Sequence, residues 1–242
     1  AGEPLGVHDG IRGKFTVAAN DKTADHFRSR GRLLFHGRKY PVWAETGEYF
    51  YKVGTDAPEN LLSYADFDGT FHDDGVKDQL VKRWVAHVKD WQPGDPNWQG
   101  GKGKGLIGAI NYLAGEGLNV FSFLTLNIAG DDRNVFPYVD YNNYERMDVS
   151  KLAQWEIVFS HGESLGMFLH FKTAEVENQG LLDGGELGPQ RKLYYRELIA
   201  PLRPPLGPEL EYGGGKWPVD EEPPNALANH YPTPGHGPLF LR

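Results

Sequence analysis

Residues 119–200 alternate between apolar runs and helical patterns, and this alternation constrains the fold more than any other feature of the sequence. The runs at 119–127 and 167–173 have the continuity of strands that are covered on both faces. Each is followed by a helical pattern, at 150–165 and 189–200. Helical crossovers make neighbouring strands parallel, because each helix returns the chain to the starting edge. We therefore predict an α/β fold with a parallel sheet, either open or closed into a barrel.

Capping residues support the boundaries of these elements. Asp148 or Ser150 supplies an N-cap for the first of the two helices. Gly166 precedes the second strand, and Pro189 occupies a favoured first-turn position in the second helix. The predicted elements therefore begin and end where the local sequence favours a boundary.

Further elements are predicted ahead of this region. Residues 49–53 form a short apolar run, which we interpret as the first strand of the sheet. Apolar positions within residues 76–88 recur at three- and four-residue steps, which predicts a helix. A second helix is predicted over residues 104–114. The inward positions expected in this second helix are Leu106, Ile107, Ile110 and Leu113.

The first forty residues contain strand signals but no helix signal. Two short runs, 32–35 and 39–43, flank a connection that contains Gly37, which is typical of a hairpin. Residues 11–17 alternate between apolar and polar side chains and predict one more strand. A single strand needs a sheet to pair with, so we expect its partner strands to lie outside this sequence.

The loops after the predicted strands favour a barrel over an open sheet. They are long and rich in Asp, Glu and Asn, and barrel enzymes place their chemistry in the loops that follow successive strands. The expected fold is therefore a partial TIM (β/α)8 barrel.

Composition excludes several classes of function. A formal charge of -8 without any Lys or Arg run argues against nucleic acid as a partner. The absence of cysteine removes disulfides, thiolate zinc sites and thiol nucleophiles. The sequence contains no apolar stretch long enough for a membrane span, and its start has no signal-peptide pattern.

Several short motifs resemble those of bacterial glycoside hydrolases in which an immunoglobulin-like domain precedes an apiosidase-like TIM barrel. A collagen-binding-like domain often follows the barrel in that family. The motifs are Glu-Tyr-Phe (48–50), Asp-Ala-Pro-Glu-Asn (56–60), Asp-Phe-Asp-Gly-Thr (66–70), His-Val-Lys-Asp-Trp (87–91), Gly-Lys-Gly-Lys-Gly (101–105) and Leu-Leu-Asp-Gly-Gly-Glu-Leu-Gly (181–188).

The resemblance covers roughly residues 11–200 and implies a domain division. Residues 1–38 would hold the end of the immunoglobulin-like β-sandwich and a linker hairpin, and residues 39–200 the first βα units of the barrel. The resemblance also implies a secreted or periplasmic protein.

The segment 201–242 departs from the family pattern. Prolines at 201, 204, 205 and 208 and the glycines at 213–215 stand where the family has a fourth strand ending in its expected acid/base glutamate. The sequence pattern of this segment therefore predicts no fourth strand. We expect this tail to be translated out of frame, which the nucleotide sequence would test by showing whether another frame matches the family.

Carboxylates after the predicted strands are the candidates for chemistry. A glycosidase needs two carboxyl groups that flank the scissile bond. Glu175 and Glu177, just past the strand at 167–173, are the candidates for catalysis and for substrate contact, and the alternative is that both are solvated loop residues. The further substrate-binding candidates are Glu59, Asn60, Asn127 and Asn178.

No metal site or cofactor is predicted. The acidic groups at 66–74 and 131–132 do not follow EF-hand spacing, and no histidine pair has the spacing of a zinc helix. The Gly/Lys run at 101–105 lacks the Ser or Thr of a phosphate-binding loop.

The expected function is that of a glycoside hydrolase fragment that acts on a polysaccharide or its side chains, with no turnover as written. The alternative is a non-catalytic carbohydrate-binding or scaffold protein. In both cases the expected partner is carbohydrate.

Overall fold

The computed structural model describes residues 10, 12–14, 16, 18–34, 40–70, 81–129, 133–174, 176–202 and 210–211. The strands are β1 (Leu33–Leu34), β2 (Val42–Trp43), β3 (Gly54–Thr55), β4 (Val120–Leu124), β5 (Phe168–Lys172) and β6 (Leu210–Glu211). The α-helices are α1 (Pro58–Leu61), α2 (Lys104–Gly115), α3 (Val149–Ser164) and α4 (Pro189–Leu202). Short 3-10 turns lie at Phe27–Arg30, Val85–Asp90, Val176–Asn178 and Asp183–Gly185.

Strands β3, β4, β5 and β6 form one parallel sheet in that order. The longest pairing joins β4 to β5, from Val120 opposite Phe168 to Leu124 opposite Lys172. Helix α3 connects β4 to β5 and helix α4 connects β5 to β6, so both connections are helical crossovers. The predicted α/β class with a parallel sheet is confirmed.

The first strand of this sheet lies later than predicted. Pairing with β4 begins at Gly54, whereas Tyr51 and Val53 in the predicted strand 49–53 are exposed. A Cβ atom added to Gly54 would lie 1.9 Å from the carbonyl oxygen of Val120. The absence of a side chain at this position therefore allows β3 to approach β4.

A fourth strand exists, contrary to the sequence prediction. Strand β6 pairs with β5 in parallel, with Leu210 opposite Phe171 and Glu211 opposite Lys172. Two paired residues are too few to appear as an apolar run, which explains why the sequence pattern did not show them. The rest of the predicted out-of-frame tail, 203–209 and 212–242, lies outside the described residues.

The N-terminal region contains the predicted hairpin pairing. Strands β1 and β2 pair antiparallel, with Leu33 opposite Trp43, while residues 35–39 lie outside the described residues. The predicted strand at 11–17 also falls partly outside them, and its described members, 12–14 and 16, are exposed and form no strand.

The three helices that the sequence patterns predict after residue 100 are confirmed. Leu106, Ile107 and Ile110 of α2 are fully buried, as expected for its inward face. Asp148 caps α3, since its side chain accepts a hydrogen bond from the Lys151 N–H at 3.0 Å.

The helix predicted over residues 76–88 is wrong where the chain is described. Val85–Asp90 is a 3-10 turn in which Val85 is 70% exposed and Val88 is 46% exposed. Trp84 has a φ of 50°, a left-handed conformation that interrupts a right-handed helix. A Cβ added to Gly108 would lie 1.9 Å from the His87 carbonyl oxygen, so the backbone of the turn packs directly on α2. Residues 71–80 lie outside the described residues.

The two faces of the parallel sheet are covered differently. One face packs under the helices, and Phe123 of β4 stacks on Phe159 of α3 with 4.5 Å between ring centroids. On the other face, Val120 and Phe168 pack against aromatic and aliphatic side chains of the N-terminal region. This second cluster contains Phe27, Leu33, Trp43, Phe50, Val120 and Phe168.

The second cluster covers the start of β4 and β5 and not their carboxyl ends. Side chains alternate along a strand, so Ser122 shares the face of Val120, and His170 and Lys172 share the face of Phe168. The helix-free face therefore changes from apolar at the amino edge of the sheet to polar towards its carboxyl edge.

Candidate functional site

Five polar side chains meet on the helix-free face of the sheet. Ser122 and His170 are register partners on neighbouring strands, and Lys172 lies two residues further along β5. Asp56 follows β3 directly, and Lys52 precedes it. We call these five residues the sheet-face cluster.

His170 is at the centre of the cluster. Its Nδ1 atom lies 2.8 Å from Ser122 Oγ and 3.2 Å from Lys52 Nζ. An ammonium group only donates hydrogen bonds, so Nδ1 accepts, and we assign the proton of the neutral ring to Nε2. Ser122 and His170 are both buried, which fixes the ring between β4 and the solvent-facing lysine.

Asp56 and Lys172 form the outer part of the cluster. Lys172 Nζ donates to Asp56 Oδ1 at 3.0 Å. This hydrogen bond lowers the pKa of Asp56, burial partly offsets the shift, and the charge of Lys172 lowers the pKa further. The Asp56 side chain is 71% exposed, so the cluster presents an ionised carboxylate to solvent.

The cluster can bind a polyhydroxylated molecule through complementary groups. The Asp56 carboxylate accepts hydrogen bonds, and the ammonium groups of Lys52 and Lys172 donate them. Charge-assisted hydrogen bonds of this kind are stronger than neutral ones. The cluster thus offers both acceptors and donors to sugar hydroxyl groups.

Proton donation to a glycosidic oxygen needs a different carboxyl group, one that stays protonated. The lowered pKa of Asp56 does not suit that role. Burial raises the pKa of Glu163, but Arg28 holds its two oxygens at 2.6 and 3.0 Å. Glu163 also lies in the last turn of α3, near the amino edge of the sheet and away from the cluster. The described geometry therefore supports binding more directly than proton transfer.

Two predicted substrate ligands, Asn127 and Asn178, join neighbouring loops. Asn178 Oδ1 accepts from the N–H groups of Ile128 and Ala129, each at 2.9 Å. Asn178 Nδ2 donates to the Ala129 carbonyl at 2.8 Å and lies 3.5 Å from Asn127 Oδ1. Both asparagines are 1% exposed. They lie after neighbouring strands, where they tie loops together and are buried.

Among the other predicted site residues, those that the structure describes make no contact that assigns them to a site. Glu59 is half-buried in α1, and Glu177 is exposed in the turn that follows β5. Glu175 and the side chain of Asn60 lie outside the described residues. The proposed catalytic role of Glu175 and Glu177 and the substrate contacts of Glu59 and Asn60 stay predictions.

Sequence reasoning missed the sheet-face cluster as a site. The available signal was the placement of polar residues at alternate positions within apolar strands. His170 and Lys172 are two residues apart in β5, and Ser122 is the polar residue within β4. Such positions face the same side of a sheet, so a polar pair there indicates a polar patch on one face.

The fold and the cluster define a mixed α/β protein with helices on one sheet face and polar side chains on the other. Comparison with protein-family models, with curated proteins and with solved structures finds no match. In the described part of the chain, no helix combines the length and the apolar character needed to cross a membrane. Within the same residues, no group of three His, Asp or Glu side chains is arranged to hold a metal ion.

Proposed function

We propose that the chain is the substrate-binding part of a carbohydrate-active barrel protein of the glycoside hydrolase type. The observation that carries this proposal is the sheet-face cluster. Neighbouring parallel strands bring a carboxylate, an imidazole and ammonium groups together on the helix-free face. Barrel enzymes bind their substrates at the carboxyl ends of the strands, where such side chains converge.

The order of the elements supports a barrel origin. A barrel has helices outside and side chains inside, so its inner face is the one without helices. Here β4, α3, β5, α4 and β6 follow in turn, and the helices cover one face. The motifs that resemble the apiosidase-like family lie ahead of β4 and between β5 and α4, and that resemblance also supports a secreted or periplasmic location.

Each member of the cluster has a proposed role. Asp56 accepts hydrogen bonds from sugar hydroxyls, while Lys52 and Lys172 donate to sugar oxygens. Ser122 positions the buried ring of His170, which supports Lys52 from beneath. We expect no hydrolytic turnover from these groups alone, since a glycosidase needs a second carboxyl group in the protonated state.

The alternative is a non-catalytic carbohydrate-binding protein. The lowered pKa of the exposed Asp56 favours this alternative, because an ionised carboxylate accepts hydrogen bonds from hydroxyl groups and has no proton to donate. Both functions require the same binding cluster, and they differ in turnover.

The test measures binding of oligosaccharides by calorimetry and turnover of an aryl glycoside panel. We expect Asp56→Asn and Lys172→Met each to weaken binding about tenfold or more, since a charged hydrogen bond contributes about 1.5–3 kcal/mol. Glu145→Gln, an exposed acid in the connection between β4 and α3, is the matched control. Unchanged oligosaccharide affinity in both cluster variants would refute the binding proposal. Hydrolysis of an aryl glycoside by the wild-type chain would show that the protein is a glycoside hydrolase and not a non-catalytic binding protein.

A further inference from the structure

The amino edge of the sheet carries a second concave feature, whose lining contains none of the five residues of the sheet-face cluster. A cavity of about 1180 Å³ lies between the N-terminal hairpin and the end of α2. Cavities that hold ligands generally measure about 300–1,000 Å³, so this volume suits an extended molecule. Residues just ahead of β4 and β5, such as Asn119 and Gly166, also line it.

Two exposed tyrosines, Tyr49 and Tyr51, line one side of the cavity, and Tyr40 packs against both of them. The ring centroids of Tyr40 and Tyr51 are 5.0 Å apart, and those of Tyr49 and Tyr51 are 6.1 Å apart. Their exposures are 37% for Tyr40, 43% for Tyr49 and 56% for Tyr51. Mutual packing holds the rings in place while their outer surfaces face solvent. We call these three residues the tyrosine platform.

The cavity is strongly acidic. Among the described residues that line it, five are acidic and one, Arg30, is basic. Glu48 and Glu116 are exposed on opposite walls, in the hairpin and after α2. An acidic lining attracts cations and repels anionic chains. The acidic residues are Asp25, Glu48, Asp90, Asp95 and Glu116.

The wall opposite the hairpin is held in place by hydrogen bonds. Asn111 Nδ2 donates to Asp95 Oδ2 at 2.6 Å, and the N–H of Gln92 donates to the same oxygen at 2.7 Å. The buried ring of His161 lies 2.7 Å from Asn111 Oδ1 through its Nε2 atom. A ligand would therefore meet carboxylate and amide groups that need little ordering on binding.

We propose that this cavity and the tyrosine platform bind a cationic oligosaccharide, specifically an amino-sugar chain with free amines. Tyrosine faces attract ammonium groups and also pack against apolar surfaces, such as the C–H face of a sugar ring. Exposed carboxylates at Glu48 and Glu116 pair with the amines. This site is separate from the sheet-face cluster, and it does not depend on the function proposed there.

The test compares three tetrasaccharide probes by calorimetry on the full chain under mildly acidic conditions, where sugar amines are protonated. The probes are a glucosamine tetramer, its N-acetylated counterpart with the same linkage, and a galacturonate tetramer. We expect the glucosamine tetramer to bind about tenfold or more tightly than the acetylated one, with affinity that falls at high salt. The galacturonate tetramer is expected not to bind.

Substitutions test where on the protein the glucosamine tetramer binds. The double variant Tyr49→Ala with Tyr51→Ala is expected to lower the affinity for the glucosamine tetramer about tenfold. Glu48→Gln with Glu116→Gln is expected to abolish the preference over the acetylated probe. The controls are Val85→Ala, another exposed apolar residue, and Glu145→Gln, another exposed acid. All these side chains are exposed, and circular dichroism checks that each variant is folded.

Some results would overturn the proposal. Equal affinity for the glucosamine tetramer and its acetylated counterpart would show that binding does not require a free amine. Unchanged affinity in the tyrosine double variant would show that the tyrosine platform does not contact the ligand. Binding of a lysine-rich peptide without binding of any tetramer would identify a protein-docking surface instead. Asp56→Asn is expected to leave glucosamine binding unchanged, so failure at this site and failure at the sheet-face cluster are distinguishable.

Discussion

Lys151 shows how one buried charge couples stability to pH. It lies in the first turn of α3 with 2% exposure, and its Nζ donates to the Phe136 carbonyl at 3.2 Å. The same nitrogen lies 3.8 Å from the centroid of the Phe136 ring. Burial lowers the pKa of Lys151 to about 8, although Asp148 and Asp68 oppose this shift. The folded state therefore releases the proton more easily than the unfolded chain does.

The first prediction follows from this difference. Between pH 8 and the ordinary lysine pKa of 10.5, the unfolded chain holds more protons at Lys151, so stability increases with pH. We expect a gain of about 2 kcal/mol in the free energy of unfolding by about pH 10. Lys151→Met should remove this gain, as measured by urea unfolding at several pH values.

The control for this prediction is Lys192→Met, which removes an exposed lysine of α4 and should keep the gain. Burial raises the pKa of Tyr64 and Tyr138, so tyrosine ionisation lowers stability only above their ordinary value of 10.0. A gain that persists in the Lys151→Met variant would show that other groups cause it.

At the scale of the element, the start of α3 depends on its cap. Asp148 is the N-cap, and Val149, the next residue, is 77% exposed. We predict that Asp148→Ala lowers the free energy of unfolding by about 1 kcal/mol, because the Lys151 N–H loses its acceptor. Val149→Ala, measured beside it by urea unfolding, should change stability by much less. Equal losses in the two variants would argue against the capping role.

The loops after β4 and β5 depend in a similar way on Asn178. We predict that Asn178→Ala lowers the free energy of unfolding by about 3 kcal/mol, since the N–H groups of Ile128 and Ala129 lose their acceptor. Glu177→Ala changes the exposed neighbour and should be nearly neutral. Thermal or urea unfolding measures both, and a neutral Asn178→Ala would show that water replaces the asparagine.

Elements with a continuous hydrophobic pattern were predictable from the sequence. Helices α2 and α3, α4 up to residue 198, and strands β4 and β5 bury side chains at regular intervals, so their periodicity shows in the sequence. The region before α2 was not predictable in this way. Its 3-10 turn packs backbone against Gly108, and a backbone contact leaves no hydrophobic pattern.

The candidate site was only partly predictable for a related reason. The sequence indicates which loops meet at one edge, and Asn127 and Asn178 do meet there. It does not indicate which polar side chains turn inward. Asn178 finds three backbone partners in one neighbouring loop, whereas His170 finds its partner across the sheet on Ser122. Such choices depend on distances between segments that are far apart in the chain.

At the scale of the whole molecule, one ion pair joins the N-terminal region to the helical layer. Arg28 holds both oxygens of Glu163, which is 3% exposed at its side chain. We predict that Arg28→Met lowers the free energy of unfolding by about 3 kcal/mol, because it leaves a buried carboxylate without its partner. The double variant with Glu163→Gln should recover most of the loss. Urea unfolding of the two variants checks this, and additive losses would exclude the coupling.

Gly54 places a limit on how far sequences with this site can diverge. Asp56 reaches Lys172 only because β3 lies against β4, and any side chain at position 54 would collide with the backbone of Val120. A saturation library at this position should therefore return glycine alone among chains that keep oligosaccharide affinity. A glycine two residues ahead of an aspartate at the end of the first parallel strand is then a marker by which distant relatives with the same cluster can be recognised.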